Sequence, residues 1–182
     1  MRFGGAKLLA PLPASSHGVG AGTPVGAAAC VHLRAAVDDV VAVIRPGDSL
    51  LRDAFLATGA RVVECARADE GMGASLACGV GSAPGADGWI VALADMPWIA
   101  PASIVAVADA LRGGAEMAAP RFRDERGHPV AFARQYGAVL RSLSGDEGAR
   151  AVVAARKWAL QLVDVDDPGV VRDIDSPEDL RV

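Results

Sequence analysis

The sequence of 182 residues predicts an α/β fold with a doubly wound, mostly parallel sheet. Three observations carry that prediction. Hydrophobic residues make up 52% of the chain and aromatics only 4%, which suits a folded core rich in alanine and valine rather than a disordered chain. Short apolar runs alternate with stretches of helical character along the sequence. One run, Ile90–Ile99 in IVALADMPWI, is unbroken from Ile90 to Ala94 and then meets an acid and a proline. Such a run reads as a strand buried on both faces, as in a parallel sheet. Pro97 cannot donate to a ladder, so Asp95 should sit at the strand's carboxyl end. Ligands bind along that edge in open α/β sheets. A carboxylate there is no core filler, because burying an unpaired charge is too costly, so it is a candidate cation ligand.

The other elements follow in order. Arg2, Gly4, Gly5 and Lys7 form a basic, glycine-containing opening. Residues 13–22 are rich in Ser, Gly and Ala and read as a loop. Thr23-Pro24 supplies an N-cap and a first-turn proline for a helix running to about Ala36. A strand over 40–44 closes at Arg45-Pro46-Gly47, and Asp48 caps a helix that ends before Gly59. Residues 61–66 form another strand, followed by a glycine loop at Gly71 and Gly73 that opens a helix of small residues. After the central run comes a helix over 101–112, then a strand over 116–120, a polar loop over 121–127 and a strand over 128–132. Residues 134–143 and 146–155 are helical in pattern. Strands are expected over 160–165 and 170–175, and Ser176-Pro177 repeats the cap-and-proline start of a last helix. The sum is one domain over residues 1–182, three-layered and Rossmann-like.

Composition narrows function. The formal net charge is -4, and no block of Lys and Arg stands against it, so a general nucleic-acid binder is not expected. Cys30, Cys65 and Cys78 form no CxxC pair, which points to a reducing compartment and away from a disulfide framework or zinc site. Asp95, Pro97 and Pro101 interrupt the best apolar stretch, so no membrane span is expected, and no signal peptide is recognised. The expected location is the cytoplasm.

Four constellations could carry chemistry. Arg2 and Lys7 beside glycine N–H groups could cradle a polyphosphate, where charge builds as pyrophosphate departs; the plain alternative is a solvated basic tail. Asp95 would need a partner acid to hold magnesium. Asp173 and Asp175 are candidates, two apart on an expected strand and therefore on one face; they could equally be cap acids. Gly71, Gly73 and Ser75 could let a planar base approach the backbone and bond its edge, or form an ordinary turn. Arg126, Gly127 and His128 sit on a polar loop expected at the same sheet edge. Neither GxGxxG nor GxxxxGK[ST] occurs, and no GxSxG elbow is present.

Taken in order, these pieces resemble the nucleotidyltransferase family of molybdenum cofactor cytidylyltransferase and its guanylyl cousin, the MobA-like NTP transferases. The stretches that carry the likeness are RFGGAKLLAPL, EGMGASLACGV, LADMPWIAP, RGHPVAF, SGDEGAR and DIDSPEDL. They cover nearly the whole chain. The resemblance implies a sheet of the nucleotide-diphospho-sugar transferase type. It implies Mg2+ held by Asp95 with Asp173 or Asp175, Arg2 and Gly4 on the triphosphate, and Lys7 on the α-phosphate. Gly71, Gly73 and Ser75 would meet the base, with Gly127 and His128 on the acceptor side. It implies CTP, or GTP, as donor, a molybdopterin-type acceptor, and a molybdoenzyme or its chaperone as recipient of the product. A sugar-phosphate acceptor and a non-catalytic cofactor-binding role are the competing readings. The family opens with a strand and glycine loop, roughly LAAGxSxRMG, and this sequence begins at the RMG end of it. A native start some residues upstream is therefore expected.

Overall fold

The computed structural model describes residues 7–180. Its strands fall into two sheets. β1 (Val41–Ile44) pairs in parallel with β2 (Arg61–Glu64). The larger sheet contains β3 (Gly88–Val91), β4 (Met117–Phe122), β5 (Glu125–Arg126), β6 (Val130–Ala133) and β7 (Leu160–Asp164). β6 lies between β3 and β4, antiparallel to both, so β3 and β4 share a direction, and β7 runs parallel to β4. The result is a mixed α/β sheet in which β3, β4 and β7 run the same way, as the alternation of strands and helices predicts.

Helices pack around these strands. α1 (Val25–Arg34) starts from Pro24, with no side-chain cap from Thr23. α2 (Ser49–Ala57) is capped as expected, Asp48 Oδ1 accepting from Leu51 N at 3.2 Å. α3 (Met72–Gly81) opens from the glycine loop. α4 (Pro101–Arg112) has the expected bounds, with proline in its first turn. α5 (Gly137–Arg141) and α6 (Arg150–Ala155) are shorter than their patterns suggest. Met117, Phe132, Tyr136 and Leu140 form the core against the larger sheet. Cys30, Val40, Ile44 and Phe55 form another behind β1.

A cavity of about 1710 Å3 separates β1 from β3, with Val41 and Val43 on one wall and Trp89, Ile90 and Val91 on the other. Among the described residues, β1 pairs only with β2, and β3 only with β6.

Three local expectations need correction. The central strand ends at Val91, and its four residues are half-buried rather than buried on both faces. Val91 pairs with Val130, so the next residue faces Pro129, which has no N–H to give. The other flank borders the cavity. Residues 170–175 are not a strand: Pro168–Val171 is a 3-10 turn and the chain continues irregularly. Finally, Pro177–Leu180 is a 3-10 turn, and Asp179 accepts from Ser176 N at 2.7 Å and Ser176 Oγ at 2.9 Å. The acid in the turn caps the serine, the back-bonding half of a capping box.

Candidate functional site

Lys7 opens a short 3-10 turn whose next residue, Leu8, packs into the core. That anchor aims the Lys7 ammonium at two acids. Nζ lies 2.7 Å from Asp95 Oδ2 and 3.4 Å from Asp175 Oδ1. The Lys7 and Asp95 side chains are about three-quarters buried, whereas Asp175 is mostly exposed. Burial alone would lower the Lys7 pKa; the two carboxylates outweigh it and hold the pKa above the usual 10.5.

Backbone bonds bring the distant segments together. Ile174 N donates to Asp95 O at 3.0 Å, and the Ile174 side chain is fully buried. Asp173 and Asp175 flank this tie, so the carboxylates arise on one side of the molecule although 173–175 is no strand. His128 N donates to Val170 O at 2.7 Å, and Gly127 N to Pro120 O at 2.9 Å. A Cβ on Gly127 would come within 2.7 Å of the Val170 carbonyl carbon, so only glycine fits this crossing. Burial, then the neighbouring Arg126 charge, pushes the His128 pKa below 6.5, against the opposing pull of Asp95 and Asp173. Its Nδ1 is buried without a hydrogen-bond partner.

The glycine loop has a packing role visible in the fold. Gly73 N donates to Gly145 O at 2.7 Å, and a Cβ on Gly73 would lie 2.6 Å from Ser144 O. Gly71 has a φ of +123° and stands against Gly145 and Asp146. The loops at 71–73 and 144–146 are thus seated on one another. Ser75, Arg126, His128, Asp146 and Glu147 all line the large cavity. Lys7, Asp95 and Asp175 are not in its wall; they stand beside it, next to Leu8 and Ala94, which are. Arg2 and Gly4 lie outside the described residues.

Sequence reasoning passed over Asp167. It is 7% exposed and accepts from Ala100 N at 2.9 Å, Ser103 Oγ at 2.7 Å and Gly169 N at 2.9 Å. It caps α4 from a distant segment and fixes the chain that leads into 173–175. The Asp-Pro-Gly at 167–169 was the available signal, an acid ahead of a first-turn proline.

Among the described residues, no three of His, Cys, Asp and Glu group to hold a metal ion by themselves. The donors present are hard carboxylate oxygens with an ammonium between them. That set fits a magnesium-type ion that takes one or two carboxylates and completes its shell with water and substrate phosphate. It does not suit a metal needing a full protein cage.

The model of the MobA-like NTP transferase domain matches residues 1–162. The chain belongs to this family. Its fold and family are therefore those of nucleotidyltransferases. The crystal structure of Rv0371c from Mycobacterium tuberculosis H37Rv is 28% identical to this MobA-like chain, with a TM-score of 0.79 over 99% of it and 89% of that protein. A manganese complex of the same mycobacterial protein, also 28% identical, has a TM-score of 0.71 over 87% and 84% of the two chains. Nicotine blue oxidoreductase from Paenarthrobacter nicotinovorans is 30% identical over 118 residues, 60% of this chain and 57% of that protein. The match thus spans little more than half of that relative. Among the described residues, no helix is long and apolar enough to cross a membrane.

Proposed function

We propose that this MobA-like domain transfers CMP from CTP to the terminal phosphate of a molybdopterin-type acceptor. An acceptor phosphate oxygen attacks the α-phosphorus of CTP in line. The bond from the α-phosphorus to the bridging oxygen breaks, and pyrophosphate leaves with the electron pair. Lys7 carries the charge that builds on the α-phosphate, and Arg2 with the Gly4 backbone holds the departing phosphates. Asp95, with Asp173 or Asp175, would hold Mg2+, which screens the phosphate charge when bound. Gly71, Gly73 and Ser75 border the base, and Gly127 and His128 the acceptor. The protein's contribution is positioning and charge. The reaction is cytoplasmic, with a molybdoenzyme or its chaperone receiving the product.

The observation that carries this reading is the Lys7 ammonium between Asp95 and Asp175, held there by the bond from Ile174 N to Asp95 O. The manganese complex of a 28% identical relative supports a divalent ion in this family. The test is thermal stabilisation by CTP and by GTP with Mg2+, since ligand binding to the native state raises stability with concentration over affinity. A larger shift with CTP is expected. A larger shift with GTP makes the donor guanylyl, and no shift with either favours a non-catalytic binding role. Pyrophosphate release should occur with a molybdopterin acceptor and cease in Asp95→Asn; release with sugar phosphates alone would reassign the acceptor.

A further inference from the structure

Two cysteines meet where α3 leans on the β1–β2 sheet. Cys65 directly follows β2, and its N–H donates to Ile44 O at 2.9 Å, one step past the β1–β2 ladder. Its side chain is 2% exposed, and its Sγ donates to Ala74 O at 3.7 Å. In α3 that carbonyl is also the one facing the Cys78 N–H, four residues on. A helical Cα–Cβ bond tilts toward the N-terminus, so the Cys78 side chain leans over the same turn. The helix comes this close because residue 79 is glycine: a Cβ there would lie 3.0 Å from Val43 Cγ2 of β1. The Cys78 thiol thereby comes within hydrogen-bonding range of the Cys65 thiol, while staying partly exposed.

The surroundings set the pace of any chemistry at this pair. Burial, then the hydrogen bond with Cys65, pushes the Cys78 thiol up to about 11, and the Arg67 charge close to both sulfurs pulls the other way. Arg67 is itself partly offset by Glu70, which accepts from its guanidinium at 2.9 and 2.7 Å. The thiolate is the reactive form, so at pH 7 the pair rests as two thiols and its first step is slow. The second step is different in kind, because once Cys78 is captured the Cys65 sulfur is already beside it. Cys30 is packed instead in the core with Val40 and Phe55.

We propose that Cys65 and Cys78 are a modification site, a dithiol that a low-molecular-weight disulfide converts into an intramolecular bridge. The Cys78 thiolate attacks one sulfur of the small disulfide, whose S–S bond breaks and releases one thiolate. The Cys65 thiolate then attacks Cys78 Sγ, the mixed S–S bond breaks, and a second thiolate leaves. Two cysteine thiols are oxidised by two electrons, the small disulfide is reduced to two thiols, and these take up the two cysteine protons. The bridge closes a loop of about 14 residues, which contains Gly71, Gly73 and Ser75 and ties α3 to the end of β2.

The test incubates the folded chain with oxidised glutathione at pH 7, 8 and 9 and maps the products by peptide mass. The expected product is a Cys65–Cys78 bridge, lighter than the parent by two hydrogens and reversed by dithiothreitol. Its rate of formation should rise about tenfold per pH unit, as thiolate attack requires at a pH below the Cys78 pKa. Closing a loop of this length should raise the melting midpoint by about 5–10 °C. Cys78→Ser, a change of one atom at a partly exposed position, should abolish both the bridge and the rise. Glutathione left on Cys78 as a mixed disulfide, with no bridge formed, overturns the proposal. So does a chain unmodified after a day at pH 9, or a rate that does not change with pH. Bridging through Cys30, bridging only in urea, or a Cys65–Cys78 bridge that lowers the midpoint does the same.

Discussion

Replacing Gly127 by alanine tests how the site is held together. The new Cβ would stand 2.7 Å from the Val170 carbonyl carbon, where ordinary contact begins at 3.4 Å, and the nearest atoms are backbone that cannot swing aside. The two segments must part by most of an ångström. That separation sacrifices the bond from His128 N to Val170 O, worth about 1 kcal/mol. It adds an overpacking cost of about 1–3 kcal/mol. The sum is about 2–4 kcal/mol, which for a chain of this size lowers the melting midpoint by about 5–15 °C. The disturbance also reaches the chemistry, because Val170 leads directly into the segment tied to Asp95 through Ile174. Gly127→Ala should therefore weaken Mn2+ binding in the presence of nucleotide as well as stability. Differential scanning calorimetry and titration with Mn2+ read the two effects. A midpoint within about 2 °C of the parent, below the smallest shift this reasoning allows, would refute it.

Asp167→Ala strands three donors in a buried place, and urea unfolding should show a loss of about 3–5 kcal/mol. Lys7→Met leaves the Asp95 and Asp175 carboxylates without their shared cation. Titration with Mn2+ and no nucleotide should then show affinity raised about tenfold, while pyrophosphate release falls. His32 is fully buried with Nε2 on Ser16 O at 3.1 Å, and burial, with the nearby His17 charge, puts its pKa below 6.5 despite the Ser16 carbonyl and Asp167. Its neutral form is the folded one, so stability is complete above pH 6.5 and declines as pH falls from there toward the folded pKa. His128 adds a decline of the same sign. Unfolding measured between pH 7 and 5 should slope by up to about 1.4 kcal/mol per pH unit for each histidine, and His32→Gln should flatten that slope.

What could be read from the sequence was what local chemistry dictates. α4 has its expected bounds because a first-turn proline and a terminal glycine act within a few residues. α2 runs between Asp48 and Gly59 for the same reason. Strands depend on a partner, and partners are non-local. Val170, Val171 and Ile174 have the apolar content of a strand, yet Val170 packs with Ile104 of α4 and Ile174 with Val25 and Ala28 of α1, Ile174 N bonding Asp95 O where a ladder was expected. Ile90–Ala94 is apolar throughout, but pairing stops where β6 gives way to Pro129. At the site, the likeness of motifs pointed to Lys7, Asp95 and Asp175, which the fold brings into contact. It gave no hint of Asp167, whose importance lies in which donors reach it. Nor does a glycine reveal whether its smallness serves a ligand or another loop, and Gly73 is explained first by Ser144 and Gly145.

The site is assembled by loops joined to loops. Its three ties, Ile174 N to Asp95 O, His128 N to Val170 O and Gly73 N to Gly145 O, all lie outside the sheet ladders. Two of them sit at crossings where a Cβ would collide with backbone. Such bonds can open without breaking a strand pair, so the geometry of the site has a free energy of its own, smaller than that of the core. Phe132 and Met117 are fully buried in paired strands, and opening them requires global unfolding. The order of protection follows. Amide exchange at Gly73, His128 and Ile174 should outpace exchange at Met117 and Phe132. A metal–nucleotide complex bridging Asp95 and the 173–175 segment should slow the Ile174 amide most, because that bond can break only if the two sets of carboxylates separate.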